Sequence, residues 1–193
     1  MAAIFLIGFG YLLGSVPTGF LLGYFVGVDV RKAGSGNVGA TNVARVAGKK
    51  LGLVTLLADT AKGFIPVIIA REIGLGVEIA GWVALAAFLG HLYPVFLKFQ
   101  GGKGVATALG ALWALAPAAT GVLVIVFLVV ASATQTVSLA SIVAAGMAPV
   151  ALWVFGYPSS LIGVVSLMAL LIFWRHRENI RRLLAGKEPR FKL

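Results

Sequence analysis

The sequence contains no cysteine, and it has only six acidic residues and two histidines among its 193 residues. The lack of cysteine excludes disulfide scaffolds, thiol nucleophiles and thiolate metal sites. Because so few histidines and carboxylates supply little material for a metal cage, we expect no metal and no other cofactor. Charged residues make up 11% of the chain, whereas about a quarter of a soluble domain is charged. The composition also excludes collagen-like and low-complexity disordered chains.

Hydrophobic residues make up 60% of the chain, and the mean hydropathy is +1.03. One globule of this size cannot bury so many apolar side chains, so lipid must solvate much of their surface. The net charge of +10 is compatible with nucleic-acid binding, but cytoplasmic loops of membrane proteins are also rich in Lys and Arg. We therefore predict an all-α integral membrane protein whose partner is the lipid bilayer. We expect no nucleic acid and no obligate protein partner.

Apolar runs long enough to cross a bilayer, which takes about 20 residues, occur along the whole chain. The first covers residues 1–28, and because it has no basic n-region we expect a retained span rather than a cleaved signal peptide. Two more cover residues 51–70 and 79–97. Residues 104–174 then form a stretch of 71 residues without a formal charge.

The basic residues on either side of this stretch indicate how many times it crosses the membrane. Lys98 and Lys103 precede it, and a basic segment that starts at Arg175 follows it. If both are cytoplasmic, the number of crossings is even; two spans would be too long, so we predict four. We expect breaks at residues 116–117, 132–136 and 156–160.

The prediction is therefore seven transmembrane helices, with the N-terminus outside and the C-terminus in the cytoplasm. This arrangement places fourteen of the sixteen Lys and Arg residues on the inner side. We expect residues 1–193 to form a single domain.

Three polar segments interrupt the apolar sequence, and this topology places all of them near the inner face. They are residues 34–45, 99–107 and 175–182. Each combines flexible backbone or exposed helix with small polar or cationic side chains. Glycine-rich turns and helix N-termini present backbone N–H groups to phosphate oxygens. The three segments together predict a site for an anionic ligand.

Two nucleotide-binding motifs are only superficially present. Gly34, Gly36 and Gly39 match G-x-G-x-x-G, with Asp59 twenty residues further on. That motif requires a preceding strand and a βαβ unit, whereas membrane spans flank it here. Residues 101–104 lack the spacing of a Walker A loop.

Arg45 and Lys103 are the strongest candidate anion ligands, because Arg offers a bidentate fork and Lys a compact charge. The alternative is that both lie near lipid headgroups and set the topology. Four small polar residues of the first segment either donate to the same ligand or cap helices and turns. These are Ser35, Asn37, Thr41 and Asn42.

His176 and Asn179 are spaced i, i+3 and share one face of a helix. A histidine there suits a general base or a ligand to a substrate hydroxyl, or it is an interfacial histidine among basic neighbours. Ser138 and Ser141 lie one turn apart, where packing against a neighbouring helix is the default.

Three further polar residues fall inside predicted spans. Asp59 and Lys62, at i, i+3, are predicted to form an intramembrane ion pair that holds helices together or lines the site. His91 lies deep in the third span, where it is either functional or hydrogen-bonded between helices.

In these segments the sequence closely resembles the bacterial acyl-phosphate-dependent glycerol-3-phosphate acyltransferases, the PlsY family. The three signatures are residues 34–45, 101–107 and 176–183, in that order. Supporting positions are residues 14–17, Asp59 with Lys62 and Gly63, Gly90 with His91 and Pro94, and the serines of residues 138–141. One position differs from the family pattern, which has a basic or aromatic pair just before Ser138. Residues 135–137 are Gln, Thr and Val, which are neither basic nor aromatic.

The resemblance implies transfer of a fatty acyl group from acyl phosphate to the 1-hydroxyl of sn-glycerol 3-phosphate. The products would be lysophosphatidic acid (1-acyl-glycerol 3-phosphate) and inorganic phosphate, in the first step of bacterial phospholipid synthesis. It also implies a multi-pass protein of the bacterial inner (plasma) membrane whose active site faces the cytoplasm. Two phosphate-bearing substrates fit the cationic, glycine-rich loops, and the apolar acyl tail fits a site that opens into the bilayer.

The resemblance implies roles for individual residues. Lys103, Ser35 and the backbone N–H groups of Gly36 and Gly102 would bind acyl phosphate. Arg45, Asn42 and Thr41 would hold glycerol 3-phosphate, and His176 and Asn179 would lie near the attacking hydroxyl. The catalytic set is Lys103, His176, Asn179 and Ser35, and the substrate-binding set is Gly34, Gly36, Asn37, Thr41, Asn42, Arg45, Gly101, Gly102, Ser138 and Ser141. Either His176 or a substrate phosphate oxygen takes the proton.

Other functions fit the sequence less well. Neither histidine begins the H-x-x-x-x-D motif of the acyl-CoA-dependent enzymes, because Phe96 and Arg181 occupy the fifth places. No Ser-His-Asp arrangement is evident, which favours direct transfer without an acyl-enzyme. An anion transporter would show repeats and polar breaks near the bilayer midplane, and a lipid-binding scaffold would leave residues 101–104 unexplained.

Overall fold

The computed structural model describes residues 1–191, and in this range it is helical without any strand. The chain divides into two compact units, one comprising Met1–Leu115 and one beginning at Ala116. The helices of the first unit are α1 (Ala2–Ser15), α2 (Thr18–Phe25), α3 (Ala40–Val46), α4 (Lys49–Glu72), α5 (Val77–Leu92) and α6 (Val105–Leu115), with a 3-10 turn at Val95–Leu97. Those of the second are α7 (Pro117–Thr134), α8 (Val137–Val154), α9 (Ser159–Arg175) and α10 (Arg177–Leu184). The predicted all-α class is confirmed.

Five helical segments of the described chain are long and apolar enough to cross a membrane. They are Ala2–Phe25, Lys49–Glu72, Val77–Leu97, Pro117–Thr134 and Val137–Val154. The pair α9 and α10, bent by 58°, makes a sixth if it counts as one span. Helix α6 has 11 residues, and at about 1.5 Å per residue it is shorter than the ~30 Å hydrocarbon layer. The count of seven spans therefore stays a prediction.

Local sequence signals place the helix ends in the long uncharged stretch. Helix α7 has Pro117 at its first position, where a missing N–H costs nothing. Gln135 adopts a left-handed conformation (φ 53°) between α7 and α8, and Gly156 (φ 73°) lies between α8 and α9. All three predicted breaks thus coincide with helix boundaries. The first predicted span is itself interrupted, at Val16 and Pro17.

Helices of the first unit approach each other closely at glycines. A Cβ on Gly14 of α1 would collide with the backbone of Ala87 on α5. Likewise, a Cβ on Gly110 of α6 would collide with the carbonyl oxygen of Thr60 on α4. Between lipid-solvated helices, such small residues let backbones pack directly, since apolar side chains gain little by leaving lipid.

In the second unit, α8 packs against α7 and α9. Leu152, Leu161 and Met168 are buried, whereas large apolar side chains elsewhere on these helices point outward: Trp153 is 71% exposed and Leu170 is 65% exposed. Exposed apolar surface of this kind fits the predicted lipid solvent.

We predict that Gly110→Ala destabilises the protein by about 1–3 kcal/mol, because the added methyl group overpacks the α4–α6 contact. Gly121→Ala is the matched control, since Gly121 lies in α7 and a Cβ there meets nothing within 4 Å. Thermal unfolding in detergent measures both. Equal melting temperatures for the two variants would show that the α4–α6 contact does not need glycine.

Candidate functional site

The loop between α2 and α3 folds around the side chain of Asn42, which is 1% exposed. Its Nδ2 donates to the carbonyl oxygens of Val30, Ala33 and Asn37 at 2.9, 3.1 and 2.8 Å. Its Oδ1 accepts the backbone N–H of Ser35 at 2.8 Å. The structure thus supports the alternative in which Asn42 organises the loop rather than the one in which it contacts a ligand.

Two glycines give this loop its turns. Gly34 and Gly36 have φ values of 61° and 70°, a left-handed conformation that favours glycine. A Cβ on Gly34 would also collide with the Asn42 amide. The N–H of Gly36 donates to the carbonyl oxygen of Ala33 at 3.1 Å. The turn itself uses this N–H, and its assignment to phosphate stays a prediction.

The other predicted ligands of this segment lie on the outside of the loop. Ser35 and Arg45 are exposed, and Asn37 and Thr41 are half-buried. Arg45 lies in the last turn of α3. A small apolar cluster supports the loop from inside: Val30, Val38 and Val43, with Phe20, Leu51 and Leu97 among the residues packed on it. The loop and α3 together therefore present a cation and small polar groups on a fixed base.

The second glycine-rich segment lies against the end of α5. The N–H of Gly101 donates to the carbonyl oxygen of Leu92, and the N–H of Gly102 to that of His91, each at 3.1 Å. A Cβ on Gly102 would collide with the His91 ring at Nε2. The Gly102 N–H is thus used in the fold, as at Gly36, and its assignment to phosphate stays a prediction. Lys103 follows directly and is half-buried.

A cluster of buried polar groups lies between these two segments. Asp59 and Lys62 form the predicted ion pair, with 2.9 Å between Lys62 Nζ and Asp59 Oδ1 and side chains 5% and 2% exposed for Lys62 and Asp59. Thr18 Oγ1 donates to Asp59 Oδ1 at 2.5 Å, and Lys62 Nζ donates to the Val16 carbonyl oxygen at 2.9 Å. His91 Nδ1 is 3.7 Å from Asp59 Oδ1.

A cleft opens beside this cluster. It is lined by residues 14–19, Val38, Asp59, Lys62, His91 and Pro94. Val38 belongs to the first polar segment, and the backbone of His91 holds the second. Of the two predicted anion-binding segments of the first unit, the first therefore contributes Val38 to the cleft, and the second lies against His91 in its wall.

In the second unit, His176 lies at the bend between α9 and α10 and is 3% exposed. Its Nδ1 is 2.8 Å from the carbonyl oxygen of Ile172. A carbonyl oxygen only accepts hydrogen bonds, so we assign a proton to Nδ1; in a neutral ring, the lone pair is then on Nε2. That tautomer suits acceptance of a proton from a hydroxyl group.

Ser138 and Asn179, 41 residues apart in the sequence, meet at the carboxylate of Glu188. Its Oε1 accepts from Ser138 Oγ at 2.8 Å and from Asn179 Nδ2 at 2.6 Å, and its Oε2 accepts from Arg182 Nε at 2.7 Å. Ser141 instead donates to the carbonyl oxygen of Val137 within α8.

Glu188 is not among the site residues predicted from the sequence. The available signal was a lone acidic residue in a basic tail, residues 181–190. Burial by itself raises the pKa of this carboxyl group, but the hydrogen bonds from Asn179, Ser138 and Arg182 outweigh burial and lower the pKa below its usual value. Glu188 is therefore an ionised anchor for two residues of the predicted site.

Among residues 1–191, no group of three or more His, Asp and Glu side chains is placed to hold a metal ion. The site consists of cations, hydroxyl and amide groups, and glycine-rich backbone.

The chain is similar to known proteins over nearly its whole length. Residues 4–186 match the family model described as glycerol-3-phosphate acyltransferase. Proteins of that name from Geobacter metallireducens and Aquifex aeolicus are 52% and 47% identical, covering 98% and 99% of this chain and 97% and 100% of their own lengths. Two crystal structures of PlsY (YgiH), an integral membrane glycerol 3-phosphate acyltransferase, superpose with TM-scores of 0.96 and 0.93 at 46% and 45% identity, each covering 100% of this chain and 96% of the other. One is the glycerol 3-phosphate form and the other the lysophosphatidic acid form.

We predict that Glu188→Gln lowers the melting temperature at pH 7, because the amide cannot accept all three hydrogen bonds. Since folding lowers the pKa of Glu188, its carboxylate stabilises the fold above the unfolded pKa of about 4.3 and loses this effect as the pH falls through the lower folded value. The difference between the variant and the parent should therefore shrink below about pH 4.

Glu178→Gln serves as the control, because Glu178 is exposed in the first turn of the same helix. Melting curves from pH 3 to pH 8 provide the comparison. A Glu188→Gln variant as stable as Glu178→Gln at pH 7 would contradict the anchoring role.

Proposed function

Since the chain belongs to the glycerol-3-phosphate acyltransferase family, we propose that it transfers a fatty acyl group from acyl phosphate to the 1-hydroxyl of sn-glycerol 3-phosphate. The products are lysophosphatidic acid and inorganic phosphate, and the reaction begins bacterial phospholipid synthesis. The observation that carries the proposal is the full-length likeness to PlsY structures in glycerol 3-phosphate and lysophosphatidic acid forms. These two compounds are the acceptor and the product of the proposed reaction.

The cations of the first unit support acyl phosphate as the donor. A reaction between two phosphate-bearing substrates needs two cationic positions, and Arg45 and Lys103 supply one cation on each of two separate polar segments. In acyl phosphate the phosphate is bonded directly to the reacting carbonyl group. A lysine beside it would therefore stabilise the charge that grows on the leaving group.

The chemistry needs positioning more than activation. The 1-hydroxyl oxygen attacks the acyl carbonyl carbon, the bond from this carbon to the phosphate oxygen breaks, and phosphate leaves with the bonding electrons. Lys103 and Ser35 hold the donor phosphate, and Arg45 and Thr41 hold the acceptor phosphate. Such fixed charges act without reorganising during the reaction.

In this scheme His176 and Asn179 lie beside the attacking hydroxyl group. The lone pair on His176 Nε2 accepts its hydrogen bond, and the proton passes either to this nitrogen or to a phosphate oxygen. Asn37, Ser138 and Ser141 complete the proposed substrate contacts, together with the backbone of the glycine-rich turns. No acyl-enzyme intermediate forms in this scheme.

The proposal includes the membrane arrangement. Seven spans place the N-terminus outside and the C-terminus in the cytoplasm of a bacterial inner membrane. All three polar segments then face the side where water-soluble glycerol 3-phosphate is found. The family match over residues 4–186 supports one acyltransferase domain that includes residues of both units.

A donor comparison tests this function. The purified chain in lipid receives glycerol 3-phosphate with either palmitoyl phosphate or palmitoyl-CoA. We expect lysophosphatidic acid from palmitoyl phosphate alone. Product from palmitoyl-CoA alone would overturn the donor assignment, and no product from a folded protein would overturn the proposal. Phosphate flux across liposomes under the latter outcome would favour a transporter.

We predict that Lys103→Ala and Arg45→Ala each lower kcat/KM by about 100-fold or more, the usual cost of losing a charge-stabilising group. Lys98→Ala and Lys49→Ala are matched controls, because both lysines are exposed and lie close in sequence to the two targets. Steady-state kinetics with palmitoyl phosphate measure the effect on folded protein. Near-normal turnover in both target variants would place the anion sites elsewhere.

A further inference from the structure

The mechanism makes no use of the ion pair of Asp59 and Lys62, although both side chains are almost fully buried in α4. Removing two charges from water costs several kcal/mol per ion, which their mutual attraction seldom exceeds. A well-packed apolar pair would hold the helix at least as well. The further contacts of each charge indicate what else the pair does.

Lys62 contacts the interruption in the first span. Pro17, which has no N–H, follows α1, and the carbonyl oxygen of Val16 accepts from Lys62 Nζ at 2.9 Å. Thr18, the first residue of α2, donates its hydroxyl hydrogen to Asp59. Hydrocarbon offers no hydrogen-bonding partner for such an interruption. The pair therefore fixes the ends of α1 and α2 at α4.

Asp59 faces His91 at the end of α5, with 3.7 Å between Asp59 Oδ1 and His91 Nδ1. The other ring nitrogen, Nε2, lies 2.1 Å from the position that a Cβ on Gly102 would take, and the His91 carbonyl oxygen accepts the Gly102 N–H. The imidazole ring thus lies between the carboxylate and the glycine-rich segment. The next residue after Gly102 is Lys103.

We propose that Asp59 positions Lys103, by orienting His91 and with it the backbone of residues 101–104. Lys62 neutralises the carboxylate and ties it to the interrupted span. This inference rests on the proposed role of Lys103 at the donor phosphate. Asp59, Lys62 and His91 are positioning residues, because none of them needs to touch the substrate, and a misplacement of about 1 Å at Lys103 suffices to slow the reaction about 100-fold.

Paired substitutions in the full chain separate positioning from simple helix packing. Asp59→Leu with Lys62→Met removes both charges at similar volume, so no lone charge stays buried. We expect this variant to fold and to lose at least about 30-fold in kcat with palmitoyl phosphate, while the KM for glycerol 3-phosphate changes less than about threefold. Asp59→Asn with Lys62→Met keeps a polar group beside His91. We expect its kcat to be at least about tenfold higher than that of the Leu–Met variant.

Thr55→Val is the matched control. Thr55 is 0% exposed, lies one turn before Asp59 on α4, and donates its hydroxyl hydrogen within the helix, to Leu51. Its substitution removes a buried hydroxyl group outside the cluster, and we expect parental kcat. Parental kcat in the Leu–Met double variant as well would overturn the proposal.

Hydrogen exchange gives a readout that does not depend on turnover. We expect faster exchange in a peptide covering residues 98–104 of the Leu–Met variant and unchanged exchange within residues 77–90. Unchanged exchange in both regions would overturn the proposal. If the parent forms no product from palmitoyl phosphate, the proposed function fails, whereas this exchange still tests the positioning.

If the Leu–Met variant does not fold, His91→Phe is used in the same measurements instead. This substitution keeps an aromatic ring but removes both nitrogens, leaving the ion pair intact. We expect the same loss of kcat and the same faster exchange over residues 98–104. Parental values for both would overturn the proposal.

Discussion

Hydrocarbon offers no hydrogen-bonding partner, so each polar group that this chain places among its apolar helices has to be satisfied within the chain. Lys62 donates to the Val16 carbonyl oxygen where the first span is interrupted, and Arg71 Nη1 donates to the Ala114 carbonyl oxygen at 2.5 Å at the end of α6. Asn42 satisfies three carbonyl groups of one loop. The first polar segment keeps its shape because the buried Asn42 side chain holds it, and Lys62 likewise holds the interrupted span.

The same constraint divides the polar residues into two kinds. Asn42 and Asp59, which are buried, and the half-buried Glu188 use their hydrogen-bonding atoms inside the protein and determine the shape of the loops. Ser35, Arg45 and Lys103, which are exposed or half-buried, remain at the surface that the proposed phosphate-bearing substrates reach. An enzyme that acts on mixed anhydrides needs little more than such fixed charges, since the donor already carries a good leaving group.

Features with a local cause could be predicted from the sequence. The helix boundaries of residues 104–174 follow from Pro117 and from turn residues near positions 135 and 156, and the Asp59–Lys62 pair follows from its i, i+3 spacing. Glu188 could not be found in this way, because Ser138 lies 50 residues before it. The motifs also do not indicate which glycine N–H groups the turns use, as those of Gly36 and Gly102 are used. Hydropathy alone does not show that α6 would be only 11 residues long.

The central claim is that the acyl group passes directly from bound acyl phosphate to bound glycerol 3-phosphate. A double-label measurement tests this claim most directly. The purified chain in lipid receives palmitoyl phosphate labelled with ³²P and glycerol 3-phosphate labelled with ¹⁴C. The account predicts equal amounts of labelled inorganic phosphate and labelled lysophosphatidic acid, and no phosphate release when the acceptor is omitted. A stoichiometric burst of phosphate without the acceptor would reveal an acyl-enzyme and contradict direct transfer.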